Sequence, residues 1–189
     1  MIFRIASGLL MSLALAGGAW AQPAKWQVDQ ANSSLQFVVD VNGQTVTGKF
    51  AAFGALIAFD PADLGHSSAK ITMDMTAVKS GDATRDALLL KPDWFNVLDF
   101  PQAVFQTTSF AAKGGDKYET RGQLKLKGAS KEVTLPFTLT ITGDKALMKG
   151  EAVLHRTDFN VGAGSQFATG KPVALEVKVL VNVTATRVK

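Results

Sequence analysis

Residues 81–101 read GDATRDALLLKPDWFNVLDFP, the one stretch of the chain whose pattern is not that of a β-strand. Asp82 can serve as an N-cap, and Ala83, Ala87 and Leu90 recur at spacings of four and three, which puts them on one face of a short helix. Lys91-Pro92 ends that helix, and proline at a first helical position predicts one further turn over Asp93-Trp94-Phe95, with an acid near its N-terminus. A helical insert over residues 82–96 follows. Pro101 holds Phe100 extended, so a strand should begin there. An apolar insert between strands can plug a β-barrel, cap a sandwich or line the mouth of a cavity.

On both sides of the insert the period is two. Before it, Leu35, Phe37, Val39 and Val41 alternate with polar residues, with Val38 the apolar exception on the outer face. Asn42-Gly43 is a hairpin signal, and Thr45 to Phe50 would return antiparallel. Ala55, Ile57 and Phe59 continue on another strand, and Ile71, Met73, Met75 and Ala77 share one face of the next. After the insert come Ala103 to Phe110, Tyr118 to Lys127, a strand carrying Val133, Leu135, Phe137, Leu139 and Ile141, then Ala146 to Arg156, and finally Pro172 to Arg187. Pro136 has no N–H to give to a ladder, which predicts an edge or a bulge at that point. Short antiparallel strands with one helical interruption fit a sandwich or an up-and-down barrel, and closure without exposed edges favours the barrel.

The first residues read as an address. Arg4, the apolar run of residues 5–16 and the small-x-small site Ala19-Trp20-Ala21 make a secretory signal peptide, with the exported mature chain beginning at Gln22. That leaves 168 of 189 residues, the size of one domain, with no linker or internal repeat to divide residues 22–189. Cysteine is absent, so an exported domain must stand on its core without disulfides, and a 47% apolar composition permits that. The net charge of +4 falls to +3 with the leader, and the basic residues are scattered among acids. Nothing resembles the basic, aromatic-interleaved stripe of a nucleic-acid binder.

Little in the chain suggests catalysis. His66 and His155 are the only histidines, and His155 with Asp158 falls short of a zinc ligand set. No serine sits in a nucleophile elbow, and Gly162-Ala163-Gly164 lacks the setting of a dinucleotide loop. Neither a catalytic residue, a metal nor a cofactor is expected. The candidate ligand residues are instead apolar: Phe37, Phe59, Met73, Met75, Phe105 and Phe137 at inward strand positions, and Trp94 and Phe95 in the insert. Large rings with adaptable thioethers suit a cavity for a hydrocarbon as well as they suit an ordinary core. Two charged pairs border these segments, Arg85 with Asp86 and Arg156 with Asp158. Each either pins a loop to the rim or holds a ligand's polar head.

The motifs together resemble the YceI-like family. They are TVTGKF at residues 45–50, FDPADL at 59–64, the insert through Phe105, GQLKLKG at 122–128, VTLPF at 133–137 and RTDFNVG at 156–162. The resemblance implies an extended, lipocalin-like all-β barrel of about eight antiparallel strands. It also implies a lumen that holds an elongated isoprenoid-type lipid such as a polyisoprenoid, an isoprenoid quinone or a fatty amide. A membrane cytochrome of the b561 type is an implied partner, and the oligomeric state is left open, a dimer included. One departure is Asp40-Val41-Asn42-Gly43, where many members carry His-x-Gly, so no headgroup contact transfers to that position.

Overall fold

The computed structural model describes residues 22–164 and 166–189. The expected signal peptide therefore lies outside the described residues. Eleven strands form one sheet. They are β1 (Lys25–Val28), β2 (Ser34–Val41), β3 (Gln44–Phe50), β4 (Phe53–Ala58), β5 (Ser68–Asp74), β6 (Val78–Lys79), β7 (Gln102–Gly114), β8 (Lys117–Leu126), β9 (Ala129–Thr142), β10 (Lys145–His155) and β11 (Glu176–Arg187). Three long strands are each broken once: β1 continues as β2, β3 as β4 and β5 as β6. β4 pairs with β1 and β5, while β3 pairs with β2 and β6. Counting each broken strand once, eight antiparallel strands run in chain order around a closed ring, and β11 closes it on β1 and β2.

The breaks are written in local hydrogen bonds. Asp29 accepts from the N–H groups of Ala31 and Asn32, which turns the chain between β1 and β2. Asp74 accepts from the N–H (2.9 Å) and hydroxyl (2.6 Å) of Thr76, so β5 stops one residue before Met75. Alternation alone predicted a strand running on through Ala77. The Asp74 carboxylate instead bends the chain into a 3-10 turn and drops Met75 to 1% exposure. At the first hairpin Asn42 (φ 53°) and Gly43 (φ 79°) both take the left-handed conformation that a two-residue turn needs. Pro136 lies within a strand with a one-sided edge. β9 stays paired with β8 through Glu119, while its ladder with β10 ends at Phe137 and Gly150.

The insert contains one short helix, α1 (Ala83–Leu89), capped by Asp82, whose carboxylate accepts from the Arg85 N–H at 2.7 Å. The expected face turns inward only at Leu90, which packs against the core: Ala83 and Ala87 are exposed, and the side turned in carries Leu89, with Arg85 and Asp86 half-buried. The cause is polar. Asp86 accepts from the N–H and hydroxyl of Ser80, and Arg85 donates to the Ser80 carbonyl, so the helix is rotated onto the preceding loop. Residues 92–95 form hydrogen-bonded turns rather than a second helix.

Insert and strap close one end of the ring. The strap is the connection from β10 to β11, residues 156–175. Its Gly162 N–H donates to the Asp93 carbonyl of the insert, and its Pro172 and Ala174 bond the backbone of Asn42 and Asp40. The final strand was expected to begin at Pro172. It begins at Glu176, because Val173 and Ala174 are drawn into the strap, where their carbonyls accept from Arg156. The core divides accordingly. One cluster, around Phe37, Met75, Leu89, Trp94 and Phe159, packs beneath the insert, and a second, around Trp26, Phe59 and Phe137, fills the opposite end.

Candidate functional site

Between the two clusters runs an apolar lumen of about 220 Å³. Successive inward positions of the strands build its wall, as the period of two requires: Val179, Val181 and Val183 from β11, Leu135, Phe137, Leu139 and Ile141 from β9. Of the residues expected to bind a ligand, Phe59, Met73, Met75, Phe105 and Phe137 line it. Phe37, Trp94 and Phe95 do not. They are buried in the packed cluster beneath the insert, and Phe50 connects that cluster to the lumen, its ring 5.6 Å from Phe37 and 6.4 Å from Phe95.

The sequence reading missed Phe50, Phe53, Phe110 and Trp26, all of which face the lumen. Phe50 and Phe53 flank the break between β3 and β4, where two intervening residues reset the alternation and hide both from a simple count. Phe110 sits on β7 beyond a register shift at Thr107 and Ser109. A period-two count carried across either irregularity points the wrong side inward.

Polar groups on the wall are few, and each has a partner. The Thr107 hydroxyl donates to the Ala69 carbonyl and accepts from its N–H, and the Thr120 hydroxyl donates to the Ser109 carbonyl. Ser34 Oγ accepts from the Asn182 amide, and Trp26 Nε1 donates to the Phe59 carbonyl at 2.9 Å. A group that already has its hydrogen bond gains little from a ligand. The lumen therefore selects for hydrocarbon. Its volume lies below the roughly 300–1,000 Å³ usual for drug-sized ligands, so a long chain must displace side chains as it enters. Met73, Met75 and Met148 on the wall can repack with little strain.

The two charged pairs do not face this lumen. Arg156 is 4% exposed and makes five bonds to five backbone carbonyls: Nε to Ala174, Nη1 to Val161 and Gly162, and Nη2 to Phe167 and Val173. Its guanidinium also lies 5.9 Å from the Trp94 ring centroid, and burial pushes it below its ordinary pKa. Every N–H it carries is committed to the strap. Asp158 is exposed on the same turn, and His155 Nε2 approaches Glu176 at 3.6 Å instead. Arg85 and Asp86 bind Ser80 rather than each other, with Lys79 Nζ 3.6 Å from Asp86. Those bonds from Ser80 hold the Asp86 carboxyl below its ordinary value. This is the loop-pinning arrangement in both cases.

A family model, the YceI-like domain, matches residues 26–185. The chain belongs to the YceI-like family. It is 28% identical over 181 residues to protein YceI of Escherichia coli O157:H7, covering 92% of each chain. Among solved structures it resembles Burkholderia cenocepacia BcnA, with a TM-score of 0.81 and 33% identity, over 85% of this chain and 100% of BcnA. It also shares its fold with a polyisoprenoid binding domain from Saccharophagus degradans, with a TM-score of 0.70 at 14% identity, over 87% of this chain and 99% of that one. The lumen of this YceI-like barrel is the candidate site.

Proposed function

We propose that this protein is exported to the periplasm and there carries or sequesters an elongated isoprenoid-type lipid, held in the lumen. The observation that carries this reading is the wall itself, apolar along its length, with its few hydroxyls already bonded to protein. The polyisoprenoid-binding neighbour supports the ligand class, and residues 1–21 support the address. Each methylene moved from water contributes roughly 0.8 kcal/mol, so a dozen gives useful affinity after the chain is ordered. Such a role is binding, and no bond need be made or broken. Docking on a membrane cytochrome through Arg85 and Asp86 draws less support, because both side chains are engaged with Ser80.

The test is native mass spectrometry of protein purified without detergent, followed by extraction of whatever is bound. A stoichiometric long-chain adduct is expected, and its mass names the lipid class. A protein that arrives empty and also takes up no added isoprenoid alcohol overturns the reading.

A further inference from the structure

The wall of the barrel is not paired all the way round. β9 and β10 form a ladder only from Thr142 and Lys145 to Phe137 and Gly150. Beyond that point β9 follows β8 alone and β10 follows β11 alone, so a seam opens from Gly150 toward the strap. Sequence sets its apex. Pro136 has no N–H to offer β10. Position 150 is glycine, and a Cβ there would stand a tight 3.0 Å from the Leu135 side chain and from the Pro136 carbonyl. The residues facing across the seam, Leu135 and Val133 against Ala152 and Leu154, all line the lumen. A second unpaired stretch, along β7 beyond Gln106, is closed by side chains. Thr107 occupies both polar groups of Ala69, and the Phe110 ring packs 5.2 Å from Phe59.

Outside the apex lies a groove of about 540 Å³ across β8 to β11. Phe137 borders both this groove and the lumen, so there the two spaces lie on opposite sides of one strand. Across the groove floor, Lys117, Thr138, Lys149 and Asn182 stand in one register row on four neighbouring strands. Two strand spacings put the Lys117 and Lys149 backbones roughly 10 Å apart, with the Thr138 hydroxyl between them. Nearby Lys113 and Lys178 are paired with Glu119 and Glu151, whereas Lys117 and Lys149 are in no ion pair among the described residues. Two unpaired ammonium groups flanking a hydroxyl form a cradle for an anion.

We infer that this groove takes the anionic head, phosphate or carboxylate, of the amphiphile whose chain reaches the lumen through the seam. The inference rests on the proposed lumen role and deepens it: the apolar wall offers a head nothing, and the head site lies outside the barrel.

The experiment measures displacement of a fluorescent lumen dye by hexadecyl phosphate and by hexadecanol, with inorganic phosphate as the chainless control. Lys117→Glu with Lys149→Glu should weaken hexadecyl phosphate about tenfold and leave hexadecanol within about twofold. The same charge change placed on β3 and β5, away from groove and seam, Lys49→Glu with Lys70→Glu, should leave both ligands within about twofold. An equal loss in the two double variants, or no loss in the first, overturns the head site. Displacement by inorganic phosphate alone also overturns it, since a free anion would then suffice. If wild type binds neither amphiphile, the lumen reading falls and takes this inference with it. A maleimide staple between Thr134→Cys and Val153→Cys should slow uptake of hexadecyl phosphate. The same staple between Thr140→Cys and Leu147→Cys, opposite each other in the paired ladder, should not. Equal rates under both staples overturn the route.

Discussion

The two ends of the barrel are closed by different physics. At the insert end the chain is tied by directional bonds: the five from Arg156, those between Asp86 and Ser80, and the link from Gly162 to Asp93. At the opposite end the closure is made of rings. Phe59 meets Phe110 and Tyr118 edge-on at 5.2 and 5.9 Å, and Tyr118 stacks on Phe137 at 5.6 Å. Polar ties at Phe59, whose carbonyl accepts from Trp26 and whose N–H donates to the Ala24 carbonyl, fix their register. Directional bonds tolerate one arrangement, whereas packed rings tolerate several of similar energy. The ring end, with Met148 packed against it, is therefore where the lumen should accommodate a ligand, and the strap end is where it should not.

Four variants break or sharpen that contrast. Arg156→Ala orphans five carbonyls and should cost about 4 kcal/mol in urea denaturation, with faster amide exchange over the strap and not over residues 59–67. Arg156→Lys should fail to restore it, because one ammonium cannot reach five acceptors in a plane. Phe59→Ala should cost about 3 kcal/mol, with the exchange pattern reversed and affinity for an apolar dye kept or raised. Faster exchange at both ends in either variant would mean that the ends are not independent. Met73→Trp fills the lumen. It should weaken dye binding about tenfold while shifting the melting temperature by only a few degrees, and unchanged binding would move the site elsewhere.

The smallest effect is a matter of pH. The Ser80 bonds hold the Asp86 carboxyl below its ordinary value of 3.8, so its folded pKa lies below its unfolded one. Its contribution is therefore fully present above the ordinary value and is lost as pH falls through the folded value. Asp86→Asn should flatten the acid limb of a urea-midpoint profile below about pH 4 and leave the neutral plateau lower. Asp29 and Asp74, lowered by their own local bonds, will keep part of the slope. An acid limb identical to wild type would place the insert's anchoring elsewhere.

Sequence made the barrel legible because alternation survives wherever a strand is straight. Leu135 to Ile141 and Val177 to Val183 needed nothing more. It failed where a carboxylate competes for the backbone, as Asp74 does at Met75, and where two residues reset the phase, as between Phe50 and Phe53. The insert was recognisable by its cap and proline, yet its inward face was misread, because Asp86 and Arg85 bind a loop that helical spacing cannot foresee. Half of the aromatic and methionine lining was visible on the same terms. The rest needed the ring closed before it could be assigned a side. That Arg156 is a staple rather than an open hand could not be read from RTDFNVG, since its five partners lie up to eighteen residues downstream.

With no cysteine anywhere in the chain, the cross-linking work at the strap end falls to one guanidinium. A disulfide joins two points and depends on an oxidant. Arg156 gathers three separate places along the strap, at Val161-Gly162, Phe167 and Val173-Ala174, and depends on none. The strap can therefore close as fast as the chain collapses, without oxidation or reshuffling, and no thiol reagent can unlock it.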